Sequence, residues 1–159
     1  MTTAAACRHA GAVVAAALGL ALLAACGTSD GAAGADDEIT ITDAWARATP
    51  PGTSVGAVYF AVTSGRDETL VGATVDRAIA GSATLHTTTT DTSGRTSMEA
   101  LPALEVPAGE EVVLEPAGDH VMLVDLAAPL DDGDTFELTL TFATAGEQTV
   151  GVEVRSDAP

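Results

Sequence analysis

Residues 135–144 read TFELTLTFAT. Side chains alternate between the two faces of an extended chain, so Phe136, Leu138, Leu140 and Phe142 fall on one side. Thr135, Glu137, Thr139 and Thr141 fall on the other. This is the pattern of a strand with one face buried and one face wet, and no helical period fits it. Downstream, Ala145-Gly146 turns the chain into a second run, Gln148 to Val154. Upstream, Asp131-Asp132-Gly133 marks a turn.

Working outward, short β-type runs and turn signals follow one another. Ile39 and Ile41 alternate with Thr40 and Thr42, and Thr49-Pro50-Pro51-Gly52 is a turn. Val55 to Thr63 and Thr69 to Val75 are further strand candidates. Ala83 to Thr90, the turn Asp91–Gly94 and Arg95 to Ala100 read as a hairpin. Glu111 to Glu115 and His120 to Leu126 each follow a Pro-Ala-Gly step. Leu70 to Ala80 is the one stretch compatible with a helical turn, and its β-branched Thr74 and Val75 oppose it. Eight or nine strands with Gly/Pro turns predict an all-β, antiparallel β-sandwich or barrel over residues 38–155.

The N-terminus has a different character. Residues 10–25 are all Ala, Gly, Val or Leu, preceded by Arg8 and His9 and ended by Leu23-Ala24-Ala25-Cys26-Gly27. Sixteen apolar residues suit a signal-peptide core better than a membrane-spanning helix. The Leu-Ala-Ala-Cys step resembles a bacterial lipobox, which implies a signal peptide over 1–25 and lipidation at Cys26. Residues 26–37, small and acidic, then form a flexible linker from membrane to domain. Exported and lipid-anchored to the cell membrane, the domain is expected outside the cytoplasm.

Charge and cysteine content narrow the function. The formal net charge is −17, with six arginines and no lysine. Such a surface repels a phosphate backbone, which excludes nucleic acid as a partner. Cys7 lies in the leader and Cys26 would carry lipid, so the mature domain has no free thiol. A disulfide, a cysteine zinc site, a cysteine nucleophile and a blue-copper centre are thereby excluded. No Gly-x-Ser-x-Gly elbow and no phosphate loop is present, so nothing points to an enzyme.

Removal of residues 1–25 leaves two histidines and two methionines: His86, Met98, His120 and Met122. His120 and Met122 sit in DHVMLV, two apart, and project together from a strand, with Val121 and Leu123 facing the other way. His86 and Met98 lie on the two arms of the expected hairpin. Singly, a strand methionine is most often core filler. If all four converge, they make an uncharged, soft set. Thioether sulfur prefers Cu(I), imidazole suits copper or zinc, and Mg²⁺ and Ca²⁺ want oxygen. Trp45 is expected to fill the sandwich and Arg47 to pair with an acid. Asp119 and Asp125 are candidates to support a histidine from behind.

At these residues the chain resembles the PCuAC family of copper chaperones, whose signature is H(M)x10Mx21HxM. Met98 lies twelve positions after His86, twenty-one residues separate Met98 from His120, and Met122 completes HxM. The similarity extends to Asp43–Gly52 (DAWARATPPG), Val106–Gly109 and Leu126–Leu130, covering roughly Ile39 to Val154. The methionine that often follows the family's first histidine is Thr87 here. The resemblance implies a cupredoxin-like Greek-key sandwich, a solvent-accessible Cu(I) site and a monomeric periplasmic carrier. It also implies delivery of copper to a partner, namely a cytochrome c oxidase subunit or its assembly factor. Copper storage in resistance, or a surface interaction sandwich without metal, are the alternatives.

Overall fold

The computed structural model describes residues 38–157. The leader, Cys26 and the linker lie outside the described residues. Ten strands run in order: β1 Ile39–Arg47, β2 Val55–Ser64, β3 Glu68–Val75, β4 Ala80–Thr90 and β5 Thr96–Ala100, then β6 Leu104–Val106, β7 Glu111–Leu114, β8 Asp119–Leu126, β9 Thr135–Phe142 and β10 Gly146–Arg155. The all-β expectation holds. The strand not foreseen is β6, whose three residues are too few to show an alternation. Leu70–Ala80 contains no helix: β3 runs to Val75, and a single turn closes with the Ala80 N–H donating to the Asp76 carbonyl at 3.1 Å.

The strands hydrogen-bond in the order β5-β4-β8-β2-β1-β10-β9-β3-β6, with β7 added to β2 and one β3–β4 contact, Ala73 opposite Ala83, closing the sheet on itself. Every pairing between these strands is antiparallel except one, since β1 runs parallel to β10 through Trp45–Arg47. β1 reaches that position by a bulge between Thr42 and Trp45, where Asp43 adopts φ 50°. An extra residue bends a strand and re-aims the residues beyond it.

The alternation of residues 135–144 is realised in β9. Phe136, Leu138, Leu140 and Phe142 are buried against Val152 and Val154 of β10. Facing them are Val58, Phe60 and Val62 of β2, Leu85 of β4 and Val121 and Leu123 of β8. One apolar core therefore fills the space between two inner sheet faces, as in other sandwiches. The outer face of β1-β2-β8-β4-β5 is free to carry other chemistry.

Candidate metal centre

β8 is fixed by Val121 and Leu123, both fully buried. That burial sends His120 and Met122 to the outer face together. In the β4–β8 ladder His86 lies directly opposite His120, and Thr84 opposite Met122. In the β4–β5 ladder Met98 lies opposite Thr88, two residues beyond His86 on the same face. All four sequence-predicted residues thus come to one face of three adjacent strands. The two histidines occupy the middle row, with Met122 one step to one side and Met98 one step to the other. Thr87 alternates onto the opposite face from His86, so the missing methionine position does not share this surface.

The imidazole rings of His86 and His120 are stacked, with centroids 6.0 Å apart and planes 24° from parallel. The row continues across the sheet: Tyr59 lies 6.3 Å from His120, and Trp45 4.7 Å from Tyr59. Trp45 is buried but does not join the main core; it packs on Tyr59 on the outer face, which corrects its expected place inside the sandwich. The β7–β8 turn crosses close to this pair, where Glu115 and Pro116 line a slot with Trp45. Burial pushes the Tyr59 phenol above its ordinary pKa, an effect the Arg47 guanidinium opposes.

The His120 ring nitrogens have defined roles. His120 Nδ1 is 3.1 Å from the Gly118 carbonyl oxygen. A carbonyl only accepts, so Nδ1 carries a proton, and in the neutral ring Nε2 then keeps its lone pair. His86 Nδ1 meets Thr84 more loosely, 3.4 Å from its carbonyl oxygen and 3.3 Å from its hydroxyl. The supports behind the histidines are therefore Gly118 and Thr84, and neither Asp119 nor Asp125 hydrogen-bonds them. Each of the two carbonyls lies two residues before its histidine.

Accessibility differs across the four. His120 is 4% exposed and Met98 is 54% exposed, with His86 and Met122 between them. Met98, His120 and Met122 line an open cleft of about 260 Å³ with Ala57, Pro50 and Arg47. Thr49 holds the cleft's loop: its N–H donates to the Leu130 carbonyl, and its hydroxyl accepts from the Leu130 N–H, both at 2.9 Å. Arg47 stands on the cleft and forms none of the ion pairs found among the described residues, contrary to the expected acidic partner. No group of three or more His, Cys, Asp or Glu side chains able to hold a metal occurs among the described residues.

A family model described as "Putative lipoprotein LpqE-like" matches residues 39–154. The chain belongs to the LpqE-like family. It is 33% identical over 119 residues to "Putative lipoprotein Lxx21020" of Leifsonia xyli subsp. xyli, spanning 75% of this chain and 70% of that protein. Among solved structures, the copper-bound PCuAC domain from PmoF2 superposes with a TM-score of 0.61 at 28% identity, over 75% of this chain and 93% of that one. The Cu(I) form of DR1885 from Deinococcus radiodurans superposes with a TM-score of 0.59 at 33% identity, over 79% and 84%. This LpqE-like chain thus has the cupredoxin-like fold of PCuAC domains, as the sequence resemblance implied.

Proposed function

We propose that the chain is an extracytoplasmic Cu(I) carrier, holding one ion between His86, Met98, His120 and Met122 and handing it to a copper-accepting partner without catalysing a reaction. The observation that carries this reading is the apposition of the two histidines with both Nδ1 atoms turned to backbone carbonyls. The His120 Nε2 lone pair is left for an ion, His86 Nδ1 sits between the Thr84 carbonyl and hydroxyl, and a thioether stands on either side. A metal–imidazole bond of about 2.0 Å puts each ring centre roughly 3 Å from the ion. Ring centres 6.0 Å apart are close enough for one shared ion once the two rings turn their Nε2 atoms toward each other. An uncharged donor set of two nitrogens and two sulfurs stabilises a soft monovalent ion and gives little to a hard divalent one. The copper named in the PmoF2 and DR1885 structures supports the same choice.

Lipidation at Cys26, with residues 26–37 as tether, would hold the carrier at the membrane surface. The partner in this reading is the copper centre of cytochrome c oxidase or its assembly factor. The test is a Cu(I) competition titration of residues 36–159 joined to X-ray absorption at the copper edge. One tightly bound Cu(I) per chain with mixed nitrogen and sulfur scattering is expected. Binding no stronger than buffer overturns the proposal.

A further inference from the structure

β5 is the terminal strand of the sheet and pairs with β4 alone. All five of its residues are exposed. The other end of the sheet is different: β6 is three residues long, and Leu104 and Val106 are buried. A bare edge invites another strand unless something blunts it; β5 contains no proline and no bulge, and its one charged residue, Glu99, alternates onto the face opposite Met98.

The direction of its free backbone groups is set by the ladder. In an antiparallel pair, successive residues point their N–H and C=O alternately toward the partner strand and away from it. The Leu101 N–H donates to the Leu85 carbonyl and the Asp91 N–H to the Arg95 carbonyl, each at 2.9 Å. Odd-numbered residues of β4 and β5 therefore bond each other. The Thr88 N–H, by contrast, donates to Gly118 of the β8 side at 3.1 Å. Thr96, Met98 and Ala100 consequently turn their backbone donors and acceptors outward. Among the described residues no strand meets them, and the central one belongs to the candidate metal centre.

We infer that the β5 edge is the docking edge for the copper acceptor, which adds an extended segment to Thr96–Ala100 and brings a soft ligand opposite Met98. The inference rests on the Cu(I) reading of the site and names the kind of partner it serves: a β-forming segment bearing a thiol or thioether. A residue paired with Met98 on that side stands about 5.5 Å from it, Cα to Cα, with its side chain on the same face. Met98 is the most exposed of the four residues and His120 the least, so exchange starts at the edge. With a thiol acceptor, the incoming sulfur bonds to Cu(I), its proton passes to solvent, and the Cu–Met98 sulfur bond breaks. Copper stays monovalent throughout, and main-chain bonds supply affinity while the opposed side chain supplies specificity.

The test uses two synthetic nine-residue peptides of Thr and Val with a central cysteine, one unmodified and one N-methylated at alternate residues so that it cannot pair. From the Cu(I)-loaded chain, the unmodified peptide should remove copper about tenfold faster than its twin, a factor that one or two net hydrogen bonds produce. Ala100→Pro deletes an outward N–H without touching the β4 ladder, as edge positions allow. It should abolish the preference while leaving extraction by a small thiol unchanged, and Thr96→Pro substitutes if that variant loses Cu(I) affinity. Equal rates for the twins, or a preference that survives both proline variants, overturns the inference. A copper-free reading separates it from the function itself: in the apo chain the unmodified peptide should slow hydrogen exchange at the Met98 and Ala100 amides. Amide protection in a chain that binds no Cu(I) would sink the carrier and keep the edge; unchanged exchange rates would sink the edge.

Discussion

Besides Tyr59, two ionisable side chains are buried among the described residues, and they are buried in opposite ways. Glu68 is 5% exposed and His120 is 4% exposed. The Glu68 carboxylate accepts N–H bonds from Thr69, Thr144 and Ala145 at 2.9–3.0 Å and lies 3.7 Å from the Arg66 guanidinium. Burial alone would raise its pKa; the three backbone donors and Arg66 together outweigh that and hold it below the ordinary glutamate value. His120 is enclosed by Tyr59 and His86 and tied down at Nδ1 only. A buried group whose capacity is filled by the fold is a fastener. One that the fold orients and leaves half unused is a candidate for outside chemistry, because an unmade bond in a dry place is costly to keep without return.

The sharpest way to break this contrast is to remove each group and measure both properties. His120→Ala should weaken Cu(I) binding by more than ~100-fold, beyond what loss of a supporting contact does at a metal site. Its circular dichroism should stay native, since Val121 and Leu123 on the other face of β8 keep that strand in the core. Unchanged affinity in competition titration would remove His120 from the site.

Glu68→Ala should do the reverse. It leaves three backbone N–H groups without their acceptor, and it should cost about 3 kcal/mol in urea unfolding. Cu(I) affinity should not change, because none of the Glu68 partners lies in β4, β5 or β8. The pH dependence has a defined sign. A carboxyl whose folded pKa is depressed adds stability above its unfolded pKa and loses it as pH falls through the lower, folded value. The native chain should therefore lose stability on acidification below the ordinary glutamate range by more than Glu68→Ala does. Parallel curves would show that the Glu68 node carries no linkage.

How much of this contrast could be read from the sequence depends on the range of each interaction. The strand pattern was legible wherever burial on one side imposed a period of two, as in β9 and in Val121 and Leu123 around His120. β6 is too short to show a period. The parallel contact of β1 with β10 depends on a bulge at Asp43 that no local pattern announces. His86, Met98, His120 and Met122 stood out because they are all the histidines and methionines of the chain after residue 25, and the ladder registers set them on one face. The groups that hold them were not legible. Tyr59 reaches His120 through the β2–β8 ladder, Gly118 through a carbonyl that any residue would carry, and Trp45 through a strand that changes partner. Glu68 looks like one acid among twenty-three acidic residues, because two of its three amide partners lie 76 and 77 positions away.

The smallest expected effect tests how His120 is tied down. Glu115, Pro116, Ala117 and Gly118 form a turn, with the Gly118 N–H donating to the Glu115 carbonyl at 3.0 Å and Ala117 at φ 68°. Proline followed by a positive φ is type II geometry, for which the third residue is normally glycine. Ala117 holds that backbone at a steric cost of roughly 1 kcal/mol, and the same turn presents the Gly118 carbonyl to His120. Ala117→Gly removes the strain but frees the unfolded chain, so the gain in stability should be only about 0.5 kcal/mol. Cu(I) affinity should hold, because glycine takes the same turn and leaves the carbonyl where it is. A drop in affinity at undiminished stability would mean that the alanine methyl, through the stiffness it gives the turn, is what keeps Nε2 aimed outward, and the fastening of His120 would then begin one residue earlier than its hydrogen bond.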